Sequence, residues 1–418
     1  MSQRTSPLPS GSLLLVGVNH TTAPLAVRER LAIPTDRLAD ATRTLVHEPG
    51  IHEGLILSTC NRVELLTVHD PAATPVGFLH RYLHLRSADV EPHLYQFRQA
   101  EAVRHLFRVA CSLDSMVVGE PQILGQVKQS FAVAREVGAV KATLDPLLQR
   151  AFSVAKRVRT ETRIGSSTVS VASIAADLAR KIFGTLAGKT VLLVGAGKMS
   201  DLTARHLIQQ GANTLLVSNR TEARAEKIAD SLRTPSITTG VIPFEQLHDQ
   251  AHRADIIITS TGAGQIFTPP QAQRLLSRRR NRPVFFIDIA VPRDVAPEVN
   301  KLEGCFVYDI DDLQQVAQGN RAGRTREAEA AEQIVSAEVT RYTERLAQAP
   351  ATEAIKQLMA EAEAIRQAEL ARSLARLQLT PEQQAAVETL TRSLTSKLLH
   401  PQIAALRSTR TPGEDSER

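Results

Sequence analysis

Ser58-Thr59-Cys60-Asn61-Arg62-Val63-Glu64-Leu65 places a cysteine at the end of an apolar run, residues 54–59, that reads as a buried strand. Strand ends that face a cleft often carry reactive groups, and a thiolate there is a nucleophile. Arg62, two residues on, is a cation that lowers the thiol pKa or holds an anionic substrate. Taken alone, a cysteine beside an arginine is also compatible with inert packing, the reading that suits Cys111 and Cys305. A second chemical motif, Gly195-Ala196-Gly197-Lys198-Met199-Ser200, follows the apolar strand 190–194 and opens a helix. Two glycines allow a tight turn and close backbone approach, and the helix start offers unpaired N–H groups to a pyrophosphate. Ser200 stands where a third Gly or Ala is usual, a departure expected to loosen helix–strand packing.

The end of the next strand separates the cofactors. Folds that prefer NAD place a carboxylate there for the ribose 2′-OH, whereas this chain reads Ser218-Asn219-Arg220-Thr221, with no acid before Glu222. Asn219 and Arg220 welcome a 2′-phosphate, which favours NADPH; the bland alternative is a solvated arginine at a helix start. Other candidates are weaker. His80 and His84 lie four apart on a helical stretch without the further ligands of a zinc motif, so no metal is expected. The run Arg278-Arg279-Arg280-Asn281-Arg282 reads as a solvated loop in preference to a nucleic-acid phosphate contact. Asp288 closes a strand on the ligand side of the sheet, where capping or structural bonding explains it equally well.

The elements that must position these groups fall into three segments. Residues 1–165 mix short strands (13–18, 54–59) with helices (35–46, 100–112, and 123–158 with interruptions near Gly138 and Asp145-Pro146). Residues 166–308 alternate helices with strands at 190–194, 214–217, 255–260 and 284–289, the signature of a doubly wound parallel sheet. In the last segment, 309–418, residues 321–407 are rich in helix formers, and Val335, Val339, Tyr342 and Leu346 make one narrow apolar seam, as do Ile355, Leu358, Ala362 and Ile365. Thr380-Pro381 starts a further helix with a cap and a proline at its first position. A helical tail with so narrow a seam needs a partner chain to cover it. The expected fold class is therefore α/β multidomain: an N-terminal α+β domain, a Rossmann-type sheet and a C-terminal all-helical domain.

Composition bounds the rest. The 418 residues suit two or three domains at roughly 150 residues each. With 43% hydrophobic and 22% charged residues, wholesale disorder is excluded. Aromatics at 4% without Trp argue against base-stacking platforms, while a net charge of +6 permits a nucleic-acid partner without demonstrating one. Three cysteines form no disulfide framework, no apolar run approaches the ~20 residues of a membrane span, and 13–18 is too short for a secretory signal core. A soluble, cytoplasmic protein without membrane contact is expected.

Wider motifs raise a resemblance. Val16-Gly17-Val18-Asn19-His20-Thr21-Thr22-Ala23-Pro24, the block from Ser58 to Leu65, and Leu113-Asp114-Ser115-Met116-Val117-Val118-Gly119-Glu120-Pro121-Gln122-Ile123-Leu124-Gly125-Gln126 closely resemble the glutamyl-tRNA reductase family, and the domain order is similar to about residue 400. The resemblance implies Cys60 as nucleophile, with Thr59, Asn61, Arg62, Ser115, Glu120, Pro121, Gln122 and Gln126 around the substrate. Arg62 would grip the glutamyl side-chain carboxylate and Glu120 the α-ammonium. It makes His105 a residue associated with activity, read here as a general acid/base, and residues Gly195 to Ser200 the NADPH phosphate loop. It further implies glutamyl-tRNA(Glu) as substrate, a homodimer through the C-terminal helices, and glutamate-1-semialdehyde aminomutase as partner. The chemistry follows: a carboxylate repels hydride, but thiolate attack on an activated ester gives a thioester that accepts it, yielding glutamate 1-semialdehyde for tetrapyrrole synthesis. The rivals are another NADP-dependent oxidoreductase of shikimate-dehydrogenase type, with no use for Cys60, and a nucleotide-sensing tRNA-binding scaffold without turnover.

Overall fold

The computed structural model describes residues 12–115, 119–120, 122–162, 164, 171–318, 325–377 and 379–408. Two compact units form among the described residues, 12–338 and the helical region 339–408.

The larger unit begins with an antiparallel sheet of strands β1 (Ser12–Asn19), β2 (Ile51–Ser58), β3 (Arg62–His69) and β4 (Tyr95–Arg98), in the order β2-β3-β1-β4. β1 and β2 match the expected strands. β3 and β4 were not foreseen, and β3 is central and buried at every residue. Val16, Val18, Ile56, Val63 and Leu65 turn one face of this sheet onto Leu31, Leu38, Ala41 and Phe78. The helical stretch expected over 123–158 is two helices, Gln122–Glu136 and Leu144–Glu161. Asp145-Pro146 does not interrupt the second helix but lies in its first turn, where a missing N–H costs nothing. The buried Glu53 carboxylate takes the N–H groups of Lys141 (2.7 Å), Thr143 (2.9 Å) and Leu144 (2.8 Å), which fixes where that helix starts.

The second sheet is parallel, built from β5 (Thr190–Val194), β6 (Thr214–Ser218), β7 (Thr238–Val241), β8 (Ile256–Thr259), β9 (Val284–Asp288) and β10 (Cys305–Asp309) in the order β10-β9-β8-β5-β6-β7. This is the doubly wound dinucleotide-binding order, and it reverses between β5 and β8, where such sheets bind ligands. Alternation along β5 divides its side chains between two cores: Val191 and Leu193 join Ile174, Leu207 and Ile258, while Leu192 and Val194 join Ile257, Phe267 and Phe286.

The arginine run is not a solvated loop throughout. Arg279 is 2% exposed. It donates to the carbonyls of Arg282 (3.1 Å), His252 (3.0 Å), Pro283 (2.8 Å) and Ala254 and to Asp255 Oδ1 (2.8 Å), pinning the start of β8 to that of β9. Arg280 remains exposed.

In the C-terminal unit the chain continues the helix Thr325–Leu374 and then forms Pro381–Ser408, started by reciprocal bonds between Thr380 and Gln383. No described helix is long and apolar enough to cross a membrane.

Replacing Arg279 by Met is expected to destabilise the larger unit by about 3 kcal/mol, because buried carbonyls and a carboxylate lose their donor. Arg280→Ala is expected to change stability by no more than about 0.5 kcal/mol. Urea unfolding of both variants checks this; equal effects would return Arg279 to the solvated class.

Candidate active site

Cys60 stands on the tip joining β2 to β3. Thr59 closes that tip: its N–H donates to Arg62 O (2.9 Å), and its Oγ1 accepts from the N–H groups of Asn61 (3.2 Å) and Arg62 (3.1 Å). A hydroxyl that takes over backbone donors tightens a turn and leaves the intervening side chain projecting. Cys60 is half-buried and, like Met199, packs against the core that contains Leu25, Val171 and Ile310.

The cleft around it is lined by Thr59, Cys60, Asn61, Arg62, Ser115, Glu120, Gln122, Ile123 and Gln126, with Val171, Met199 and Ile310 opposite. The expected substrate positions thus come together from the hairpin tip, the turn after the helix Ala100–Ala110, and the start of the helix Gln122–Glu136. Pro121 lies outside the described residues. Gly119 makes the turn possible: its φ is +89°, and a Cβ there would stand 2.0 Å from Ile164 O.

Burial pushes the Cys60 thiol up to about 12; the Glu120 carboxylate adds to this and Arg28 opposes it. The cation bearing on the thiol is therefore Arg28, whose Nη1 donates to Cys60 O (2.7 Å), and not the expected Arg62. Burial alone raises Glu120 to about 7. Glu120 Oε1 and Ser115 Oγ are buried without a hydrogen-bond partner among the described residues. Buried polar atoms in that state suit a ligand that brings donors.

Arg62 is 1% exposed. Its Nη1 donates to Glu64 Oε1 (2.8 Å) and Asp114 Oδ2 (3.1 Å), and its Nη2 to Asp114 O. Glu64 Oε1 also accepts from Tyr95 OH (2.5 Å) and lies 2.8 Å from His105 Nε2. Burial opposes the Glu64 charge, yet Arg62, His105 and Tyr95 together bring its pKa down to about 2. His105 is buried, its ring stacked on Phe97 with centroids 4.6 Å apart. It lines a neighbouring cavity of about 890 Å³ with Tyr95, Phe97 and Asp114, and it is not in the lining of the Cys60 cleft. The structure places it behind Arg62, with Glu64 between.

The nucleotide crevice lies at the β5/β8 switch and encloses about 1100 Å³. Gly195, Ala196, Gly197, Asn219 and Arg220 line it as expected, joined by Thr221, Arg224, Ser260 and Thr261, and by Thr35 from the N-terminal segment. Gly195 has a φ of +100°, and a Cβ there would meet Ser260 Oγ at 2.9 Å. Ser200 does not loosen the packing: its buried hydroxyl bonds Gly197 O (2.9 Å) and Ser260 Oγ (2.7 Å), pinning the loop to β8. Met199 turns to the Cys60 cleft instead of the crevice, and the Lys198 side chain lies outside the described residues. Arg224 was missed: it stands in the first turn of the helix Glu222–Leu232, and only the fold brings it to the crevice beside Arg220, which precedes that helix. Neither forms an ion pair among the described residues. Asp288 is structural: it accepts from Thr259 Oγ1 (3.0 Å) and from the N–H groups of Ala290 (3.1 Å) and Val295 (2.9 Å).

Comparisons with known proteins agree along the chain. Residues 16–162 match the family model "Glutamyl-tRNAGlu reductase, N-terminal domain", residues 177–316 "Shikimate / quinate 5-dehydrogenase", and residues 330–418 "Glutamyl-tRNAGlu reductase, dimerisation domain". The chain is 50% identical over 400 residues to Glutamyl-tRNA reductase 2 of Koribacter versatilis, covering 95% of this chain and 91% of that one. It is 46% identical over 402 residues to the glutamyl-tRNA reductase of Trichlorobacter lovleyi, covering 95% and 92%. Among solved structures, glutamyl-tRNA reductase from Methanopyrus kandleri is 32% identical with a TM-score of 0.47, covering 94% of this chain and 98% of that one.

Because the Glu120 charge raises the thiol pKa, its removal lowers that pKa and increases the thiolate fraction. Glu120→Gln is expected to speed iodoacetamide alkylation of Cys60 about three- to tenfold near pH 9 (about one pKa unit or less). Mass mapping of labelled peptides checks this, and an unchanged rate would uncouple the two groups.

Proposed function

We propose that this chain, which belongs to the glutamyl-tRNA reductase family, reduces the glutamyl group of glutamyl-tRNA(Glu) to glutamate 1-semialdehyde with NADPH, the first step toward tetrapyrroles by way of 5-aminolevulinate. One observation carries the chemistry: Cys60 shares a cleft with a buried, unpartnered Glu120 oxygen, and Met199 from the first turn of the nucleotide helix forms part of the opposite wall.

In this reading Glu120 receives the α-ammonium of the glutamyl group, and Arg62 with Ser115, Gln122 and Gln126 holds its side-chain carboxylate. Cys60 Sγ attacks the ester carbonyl; the C–O bond to the ribose breaks, and the thiol proton ends on the ribose hydroxyl of the departing tRNA. Hydride from the reduced nicotinamide then adds to the thioester carbon, the C–S bond breaks, the aldehyde leaves, and the sulfur takes up a proton. Residues 1–165 serve the substrate, 166–308 the nucleotide and 309–418 the dimer, with the helix Ile310–Gln318 at the head of the last segment packed into the core of the parallel sheet through Ile310 and Leu313.

The nucleotide domain is of the nicotinamide-binding shikimate-dehydrogenase type. NADPH in place of NADH rests on Asn219, Arg220 and Arg224 at the crevice and on the lack of a carboxylate at the end of β6. The homodimer reading gains from Leu390, Leu394 and Leu398, which repeat every fourth residue on one helix and are 58%, 50% and 71% exposed in the single chain. A reactive amino aldehyde gains from direct transfer to an aminomutase, and we place the protein in the cytoplasm, where charged tRNA is found. A shikimate-type dehydrogenase reading accounts for residues 177–316 alone and leaves Cys60 without a task.

Incubation with glutamyl-tRNA alone is expected to leave a glutamyl adduct on Cys60 by peptide mass mapping, and addition of NADPH is expected to convert it to the semialdehyde. Cys60→Ser is expected to lose both adduct and reduction; a variant with near-wild-type turnover would remove the thiol from the reaction. Arg220→Glu is expected to raise KM for NADPH about tenfold or more, the loss of one charge-assisted bond (~1.4 kcal/mol), while KM for NADH holds or falls. Steady-state assays with both nucleotides decide it, and equal changes for the two would return Arg220 to a surface role.

A further inference from the structure

The short helix Leu25–Leu31 turns three residues of one face, Leu25, Arg28 and Glu29, toward the nucleotide-binding part of the unit. Leu25 packs into the core that contains Val171, Ile310 and Leu313. Glu29 grips Arg293, which follows β9: its Oε1 accepts from Arg293 N (2.7 Å) and Nε (2.8 Å), and its Oε2 from Nη2 (3.0 Å). Arg28 is 1% exposed and serves three acceptors. Its Nε donates to Ala23 O (3.2 Å), its Nη1 to Cys60 O (2.7 Å), and its Nη2 to Asp311 Oδ1 in the first turn of the helix Ile310–Gln318. One planar guanidinium therefore spans the nucleophile's own carbonyl and the nucleotide-binding part, a geometry a lysine ammonium does not reproduce.

We propose that Arg28 is a positioning residue that couples the nucleophile to the seating of the nucleotide-binding part, so that hydride reaches the acyl-enzyme only while Asp311 is docked on Arg28. The reasoning rests on Cys60 as the acyl-carrying thiol. Asp311 is the carboxylate bonded to this buried cation, and its loss leaves Arg28 without its ion pair. Ile310, the preceding residue, forms part of the wall opposite Cys60, so undocking of Asp311 also opens the cleft to water. Water then competes for the same carbon as hydride: it adds to the thioester carbonyl, the C–S bond breaks, glutamate leaves, and the sulfur regains a proton. The ratio of aldehyde to glutamate reads the coupling directly, and a residue serving only stability does not move it.

The experiment compares full-length wild type, Asp311→Ala, Arg28→Lys and the double variant. Each is given glutamyl-tRNA without NADPH, to measure the Cys60 adduct, and with NADPH, to measure aldehyde and glutamate. Asp311→Ala is expected to keep wild-type adduct formation and NADPH affinity within about twofold while the aldehyde-to-glutamate ratio falls at least about tenfold. Arg28→Lys is expected to lower the same ratio, and the double variant to fall no further than the worse single one, since both break one interaction. An unchanged ratio in Asp311→Ala, an equal fall of adduct and aldehyde in that variant, or multiplied losses in the double variant would overturn the coupling. A wild-type chain that forms no Cys60 adduct would instead overturn the reading on which the coupling rests.

Discussion

Desolvation of Cys60 and Glu120 in a single cleft sets the terms for everything around them. With the thiol pushed up to about 12 and the carboxyl to about 7, the sulfur stands as an unreactive thiol in neutral solution. The Glu120 charge contributes to the rise at Cys60, so a ligand ammonium that pairs with Glu120 cancels part of that field and lowers the thiol pKa. In the proposed reaction the substrate's own ammonium thus removes part of the barrier to the thiolate, while desolvation, the larger cause, remains. The same desolvation that silences the sulfur keeps water from the thioester once it forms.

Such a cleft needs rigid walls, and the walls next to Cys60 are charged. Arg62 and Glu64 are buried together beside His105, which is tolerable only because the two charges face each other and further hydrogen bonds complete them. Glu64 is the centre of this set: one oxygen gathers Arg62, Tyr95 and His105. The result is that Arg62, adjacent in the chain to the turn that carries Cys60, is fixed from both sides, by Glu64 on its own strand and by Asp114 beside Ser115. The His105 ring, stacked on Phe97, closes the set from behind. Its bond to Glu64 connects it to the cleft through Arg62, which accounts for a buried histidine that lines another cavity.

How much of this was readable from the chain depends on whether a residue's type matched its surroundings. β5, β6, β8 and β9 were legible because a parallel sheet covered on both sides demands unbroken apolar runs. β3 was not, because Arg62 and Glu64 read as exposed positions while the strand is buried throughout. β4 and β7, both of four residues and largely half-exposed, carry too little pattern to stand out. Arg279 was hidden in a run of arginines whose neighbours do face solvent. At the site, Cys60, Ser115, Glu120 and Gln126 were found through long motifs, whereas Arg28 and Asp311 lie 283 residues apart and meet only in the folded unit. No local pattern distinguishes Arg28 from Arg30 two residues later; one is buried and the other exposed.

In the proposed reaction hydride transfer sets the last constraint, because the donor and the acyl acceptor are bound by different sheets. A nucleophile on a hairpin tip of the antiparallel sheet gains stiffness from β3 and its charged contacts, but it gains no control over where the nicotinamide lies. That control has to pass through residues shared by both sites. Met199 is one: its helix begins at the phosphate loop, and its side chain lines the Cys60 cleft. The loop in turn is held to β8 by Ser200 and Ser260, which connects the β5/β8 switch to the cleft wall through a single turn of helix. Since the phosphate loop and the acyl-binding wall share that turn, a shift in the seat of the pyrophosphate is also a shift in the shape of the cleft. Binding of the nucleotide and containment of the thioester are thereby parts of one packing arrangement, and neither sheet provides it alone.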